Sequence, residues 1–137
     1  MKSKTAQDDL TSWVNTGADS MKRKGILPPP TLSYTITVKG PGRSKSATVE
    51  AASDQTLAQL DKLIRREMDY DTWDHCSAFF TGKPWRSETV AEIHPDGGGE
   101  NEDLLVGELG LMPGEKLNYV YDFGDNLEHV LTIDSVG

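Results

Sequence analysis

The feature that most constrains this chain is the run Leu117-Asn118-Tyr119-Val120-Tyr121-Asp122-Phe123-Gly124-Asp125-Asn126-Leu127-Glu128-His129-Val130-Leu131-Thr132-Ile133. Two alternating stretches flank a Gly-Asp-Asn turn, which is the pattern of an antiparallel hairpin. Leu117, Tyr119, Tyr121 and Phe123 share one face of the first strand; Leu127, His129, Leu131 and Ile133 share one face of the second. Strand side chains alternate with a period of two, so a one-residue slip would turn one apolar face outward. A three-residue loop at 124–126 keeps the faces together, pairing Phe123 with Leu127 and Tyr121 with His129. Asn126 then closes the loop in the left-handed region. The same register sets Asp122 opposite Glu128, a destabilising pair of like charges unless a metal ion, Arg65 or Lys83 lies between them.

Upstream, Leu32, Tyr34, Ile36 and Val38 alternate with polar residues. Gly40-Pro41-Gly42 turns the chain, and Ala47, Val49 and Ala51 continue as the hairpin partner. Leu57, Leu60, Leu63, Ile64 and Met68 then fall at helical spacing behind Ser53 or Asp54 as cap, with Asp61, Lys62, Arg65 and Arg66 assigned to the outer face. Asp69 to Asp74 reads as a turn, His75 to Phe80 and Thr89 to Ile93 as strands, and the Gly-rich acidic run from His94 to Asp103 as a mobile loop. Leu104 to Leu109 suggests one helical turn before the closing hairpin. The order predicts a single α+β domain over 31–137, with one main amphipathic helix on a mostly antiparallel or mixed sheet; a β-grasp arrangement also fits. Residues 1–30, ending in Pro28-Pro29-Pro30, read as a helical arm and a stiff linker.

The net charge of −8 is unevenly spread, with +5 over residues 1–49 and −13 over 50–137. So acidic a body repels phosphate, which makes protein the expected partner and confines nucleic-acid contact to the basic arm around Lys22-Arg23-Lys24. No stretch approaches the roughly 18 apolar residues of a membrane helix. Cys76 is the single cysteine, so no internal disulfide forms and a cytoplasmic setting is expected.

The block Tyr121-Asp122-Phe123-Gly124-Asp125-x-x-Glu128-His129 resembles the signature of the plasmid pRiA "open reading frame three-like" family. Thr56-Leu57-x-x-Leu60-x-x-Leu63-Ile64, Trp73-x-His75-x-x-x-Phe79 and Leu109-Gly110-Leu111-x-x-Gly114-Glu115-x-Leu117-x-Tyr119 extend the similarity across about Thr31 to Ile133. The family's Trp after the Asp pair is Leu127 here, and Arg43-Ser44-Lys45 stands where a Trp-Arg segment is usual. The resemblance implies an α+β domain and no established activity.

Candidate chemistry gathers at the hairpin. His129 lies on the apolar face and is expected to bond a Tyr hydroxyl or a backbone group. Asp125 is expected to bond backbone amides within the turn. Asp122, Asp125, Glu128 and His129, with His75, supply ligand types for a divalent metal, although Asp122 and His129 point to opposite faces. Cys76 and its neighbour His75 diverge as adjacent strand residues do, and a lone Cys makes no zinc site. The favoured expectation is a non-catalytic interaction module, in a plasmid or mobile-element setting, without a cofactor. The alternative is a metal-dependent hydrolase or nuclease using Asp122, Asp125, Glu128 and His129.

Overall fold

Three hairpins and one α-helix frame the described residues. The computed structural model describes residues 31–70 and 74–137, so the arm over 1–30 and Trp73 lie outside the described residues. The strands β1 (Ser33–Lys39), β2 (Ser46–Ala52), β3 (Ser77–Phe80), β4 (Thr89–Ile93), β5 (Lys116–Tyr121) and β6 (Leu127–Val136) form one open sheet in the order β2-β1-β6-β5-β3-β4. Every pairing is antiparallel, β1 with β6 included, so this is not the mixed sheet of a β-grasp. The helix α1 (Leu57–Glu67) packs on one face.

Its start is set by Thr56 rather than Ser53 or Asp54. The Thr56 hydroxyl accepts from the Gln59 amide and the Gln59 side chain accepts from the Thr56 amide, a reciprocal capping box. Leu57, Leu60, Ile64 and Met68 bury as the spacing predicts, against Tyr34, Ile36, Tyr119 and Tyr121. Asp61 and Arg65, however, are both buried at 2% exposure, not outer-face residues. They stand four and eight residues after Leu57, within the stripe that faces the sheet.

The closing hairpin keeps the predicted faces except for Phe123, which packs with Phe80 and Val120 instead of Tyr119 and Tyr121, and it does not keep the predicted pairs. Tyr121 pairs with Leu127, Tyr119 with His129 and Val120 with Glu128, so five residues, 122–126, make the turn. A shift of two residues leaves both apolar faces together, which is why face matching alone does not separate the two registers. Local turn geometry does: Asp122 takes a positive φ of 67° and leaves the strand, and its carbonyl accepts from the Asn126 amide at 2.6 Å. Asn126 is left-handed, as expected, at φ 53°. Asp122 therefore does not oppose Glu128.

Gly40 holds the neighbouring turn against this hairpin. It has φ 113°, and a Cβ there would lie 2.5 Å from the Glu128 carbonyl oxygen. The loop after β4 is anchored rather than free. Glu92 donates its amide to the Glu100 carbonyl, the Gly99 amide reaches the Glu102 carboxylate, and Asn101 Nδ2 reaches the Val90 carbonyl at 3.0 Å. The expected turn after it is a 3₁₀ segment, Val106–Leu109.

Leu60→Ala is expected to cost about 2–5 kcal/mol in denaturant unfolding, the range for a buried Leu left as a cavity. A loss under roughly half a kcal/mol would mean that α1 does not press this face onto the sheet.

Candidate functional site

Three arrangements of polar and aromatic side chains stand out. The first lies between α1 and the sheet. Asp61 Oδ1 accepts from Tyr119 Oη at 2.6 Å and from the Ser77 hydroxyl, while Arg65 Nε reaches Asp61 Oδ2 at 3.0 Å. Arg65 Nη2 also donates to Ser77 Oγ at 3.0 Å and to the His75 carbonyl at 2.9 Å. Burial alone would lower the Arg65 pKa, but the Asp61 carboxylate and Tyr119 hold it above its ordinary value. Burial first, and then Asp61, pushes the Tyr119 hydroxyl well up. These bonds tie the helix to two strands. Arg65, spent on Asp61, does not neutralise Asp122 or Glu128.

The second arrangement surrounds Tyr121. Tyr70 stacks on it with ring centroids 4.4 Å apart and planes 8° from parallel. Since the inner faces cover each other, the cations lie outside: Arg65 is 4.9 Å from the Tyr121 centroid and Lys45 is 5.0 Å from that of Tyr70. His129 is 1% exposed and reaches Tyr70 Oη through Nε2 at 2.7 Å. Its Nδ1 faces the Tyr119 carbonyl at 3.2 Å. A carbonyl only accepts, so the ring proton sits on Nδ1 and Nε2 takes the Tyr70 hydrogen. The expected Tyr and backbone partners are thus both present, though the Tyr is Tyr70. With both nitrogens engaged in the interior, His129 has no free base to offer.

The third arrangement is the signature turn. Asp122 Oδ1 accepts from the Gly124 and Asp125 amides at 3.1 and 3.3 Å, so Asp122 plays the capping role expected of Asp125. Its Oδ2 lies 3.5 Å from His75 Nδ1. His75 precedes β3 and sets its ring edge-on to Tyr121. Asp122 and His75 are therefore brought together, whereas His129 points into the helix-covered face and Glu128 to the opposite one. Among the described residues, no three His, Cys, Asp or Glu side chains stand where they could share a metal ion. The Cys76 thiol is half-buried and pushed up, by burial first and then by Glu92.

Phe123, released from the strand, turns to the sheet face opposite α1 and meets Trp85 edge to face at 5.0 Å; Phe80 meets the same indole at 4.9 Å. Trp85 Nε1 donates to Asn126 Oδ1 at 2.6 Å, and Asn126 Nδ2 donates to Glu128 Oε2 at 2.9 Å. Trp85 is 48% exposed and has φ 67°, a conformation rare for a bulky residue. Its position after Gly82-Lys83-Pro84 marks a turn, but nothing in the sequence tells which strand face that turn covers.

A family model described as plasmid pRiA4b ORF-3-like protein matches residues 32–136. The chain belongs to that family. Among solved structures, it is similar to a protein of unknown function, MM3350, from Methanosarcina mazei Go1, with a TM-score of 0.57 and 19% identity over 79% of this chain. The match covers 62% of that protein's chain, and at this identity the likeness is one of fold. No curated protein matches. In this structure Asp122 and Asn126 shape the hairpin end, and Asn126 and Phe123 meet Trp85 from the loop between β3 and β4.

Two outcomes test these placements. Asp61→Ala leaves Arg65 buried without its carboxylate and is expected to cost about 3–5 kcal/mol, whereas a paired Asp61→Leu, Arg65→Met change costs less than the single one. Equal losses in denaturant melts would show that the pair is not coupled. His129, whose pKa burial lowers, stays neutral while the unfolded chain takes up a proton near pH 6.5. Its contribution to stability is therefore present above about pH 6.5 and declines on acidification toward the lower native value. Nitrogen-15 NMR of the ring should show the neutral Nδ1–H form at pH 7; a charged ring there would contradict the assignment.

Proposed function

We propose that this domain is a non-catalytic interaction module, and that Trp85 heads its contact surface. The observation that carries this reading is the way the indole is held. A half-exposed tryptophan in a left-handed conformation, with its N–H fixed by Asn126 and its ring set against Phe80 and Phe123, is a rigid anchor in contact with solvent. Rigid aromatic anchors are enriched among the residues that dominate protein interfaces, and ordering one beforehand spares its entropy cost on binding. Val130, 37% exposed two strands away on the same face, extends the apolar footprint. Protein suits this surface better than nucleic acid, because residues 31–137 carry a net charge of −10. A plasmid or mobile-element setting follows the family name, and a cytoplasmic one the single cysteine. None of the helices among the described residues is long and apolar enough to cross a membrane.

A divalent-metal hydrolase gains no support from the geometry, since Glu128 and His129 diverge and Asp122 is occupied by the turn and His75. Affinity capture from the host cell with the full chain tests the module reading. Trp85→Ala should weaken recovery of a specific partner by about 2 kcal/mol or more, roughly thirtyfold in affinity, while the melting curve stays cooperative. A partner held equally by both proteins would remove Trp85 from the contact.

A further inference from the structure

We propose that the Trp85 surface takes an arginine side chain of its partner, one set beside acidic residues; the proposal rests on the interaction-module reading. Three features converge on this chemistry. Asn126 bonds both the Trp85 indole N–H and the Glu128 carboxylate, which places an exposed carboxylate at the edge of an exposed indole. A guanidinium is planar, stacks on an indole and donates in a fork that fits a carboxylate, so one arginine can engage both groups at once. The domain around the site carries a net charge of −10, which draws a cation toward it. The loop that carries Trp85 also presents Lys83 and Arg86, both exposed. Those two oppose a run of basic residues and favour carboxylates next to the arginine, so the partner's pattern mirrors the surface: one guanidinium between acids.

The test uses the full chain labelled with nitrogen-15 and an acetylated, amidated octapeptide containing a single Arg flanked by Glu residues. Titration should shift the Trp85 indole N–H signal and the Glu128 amide in a saturable way. Replacing the peptide's Arg with citrulline, which keeps the shape and removes the charge, should weaken binding at least tenfold. Glu128→Gln should weaken it about fivefold, and Trp85→Ala should abolish it while signals from the helix-covered face stay in place. Equal binding of the citrulline peptide, or no effect of Glu128→Gln, overturns the arginine assignment. A response to oligo-thymidylate in place of the peptide also overturns it and makes the surface a stacking site for nucleic acid. If the peptide fails while partner capture still depends on Trp85, the arginine chemistry alone falls. If capture survives Trp85→Ala, the surface itself falls.

Discussion

The buried ion pair of Asp61 and Arg65 is the interaction on which the arrangement of the molecule turns. Two charges taken out of water need hydrogen-bond partners besides each other, and here Tyr119, Ser77 and the His75 carbonyl supply them. A helix held by apolar contacts alone can rotate or slide with modest loss. One whose arginine must meet a carbonyl ahead of β3, and whose aspartate must meet a hydroxyl on β5, has a single allowed seat. That seat also places the guanidinium over Tyr121, and so helps to fix the ring against which Tyr70 and His75 rest.

From Tyr121 the order passes to the hairpin end. Asp122 divides its carboxylate, one oxygen capping the turn and the other facing His75 across from β3. A turn fixed at both points sends Phe123 to the sheet face opposite α1 and sets Asn126 where it meets the Trp85 indole. The polar network on one side of the sheet and the aromatic group on the other are thus joined through two consecutive residues, Tyr121 and Asp122.

The elements were legible in the sequence because their signals are periodic. The strand faces, the stripe from Leu57 to Met68 and the fate of His129 as a buried hydrogen-bonded ring followed from spacing. What stayed hidden was non-local or degenerate. The two hairpin registers bury the same faces, so only the backbone of Asp122 distinguishes them. Asp61 and Arg65 occupy stripe positions, but their charge argues for water until a buried partner set is known. Trp85 could be read as part of a turn; its place on Phe80 and Phe123 depends on how loops fold over strands far apart in the chain.

The signature block also limits what family membership conveys. If Asp122, Phe123, Gly124 and Asp125 had converged on a ligand, sharing the block would imply sharing a reaction. Instead Asp122 and the Gly124 and Asp125 amides close a turn, and Phe123 supports a ring from another loop. Such residues can be shared wherever this hairpin end is built, whatever is mounted on it. On the interaction-module reading proposed above, the residues that would carry activity peculiar to this chain are Trp85 and Glu128, mounted on that frame. The likeness to a structural neighbour at 19% identity is one of fold and carries no shared role.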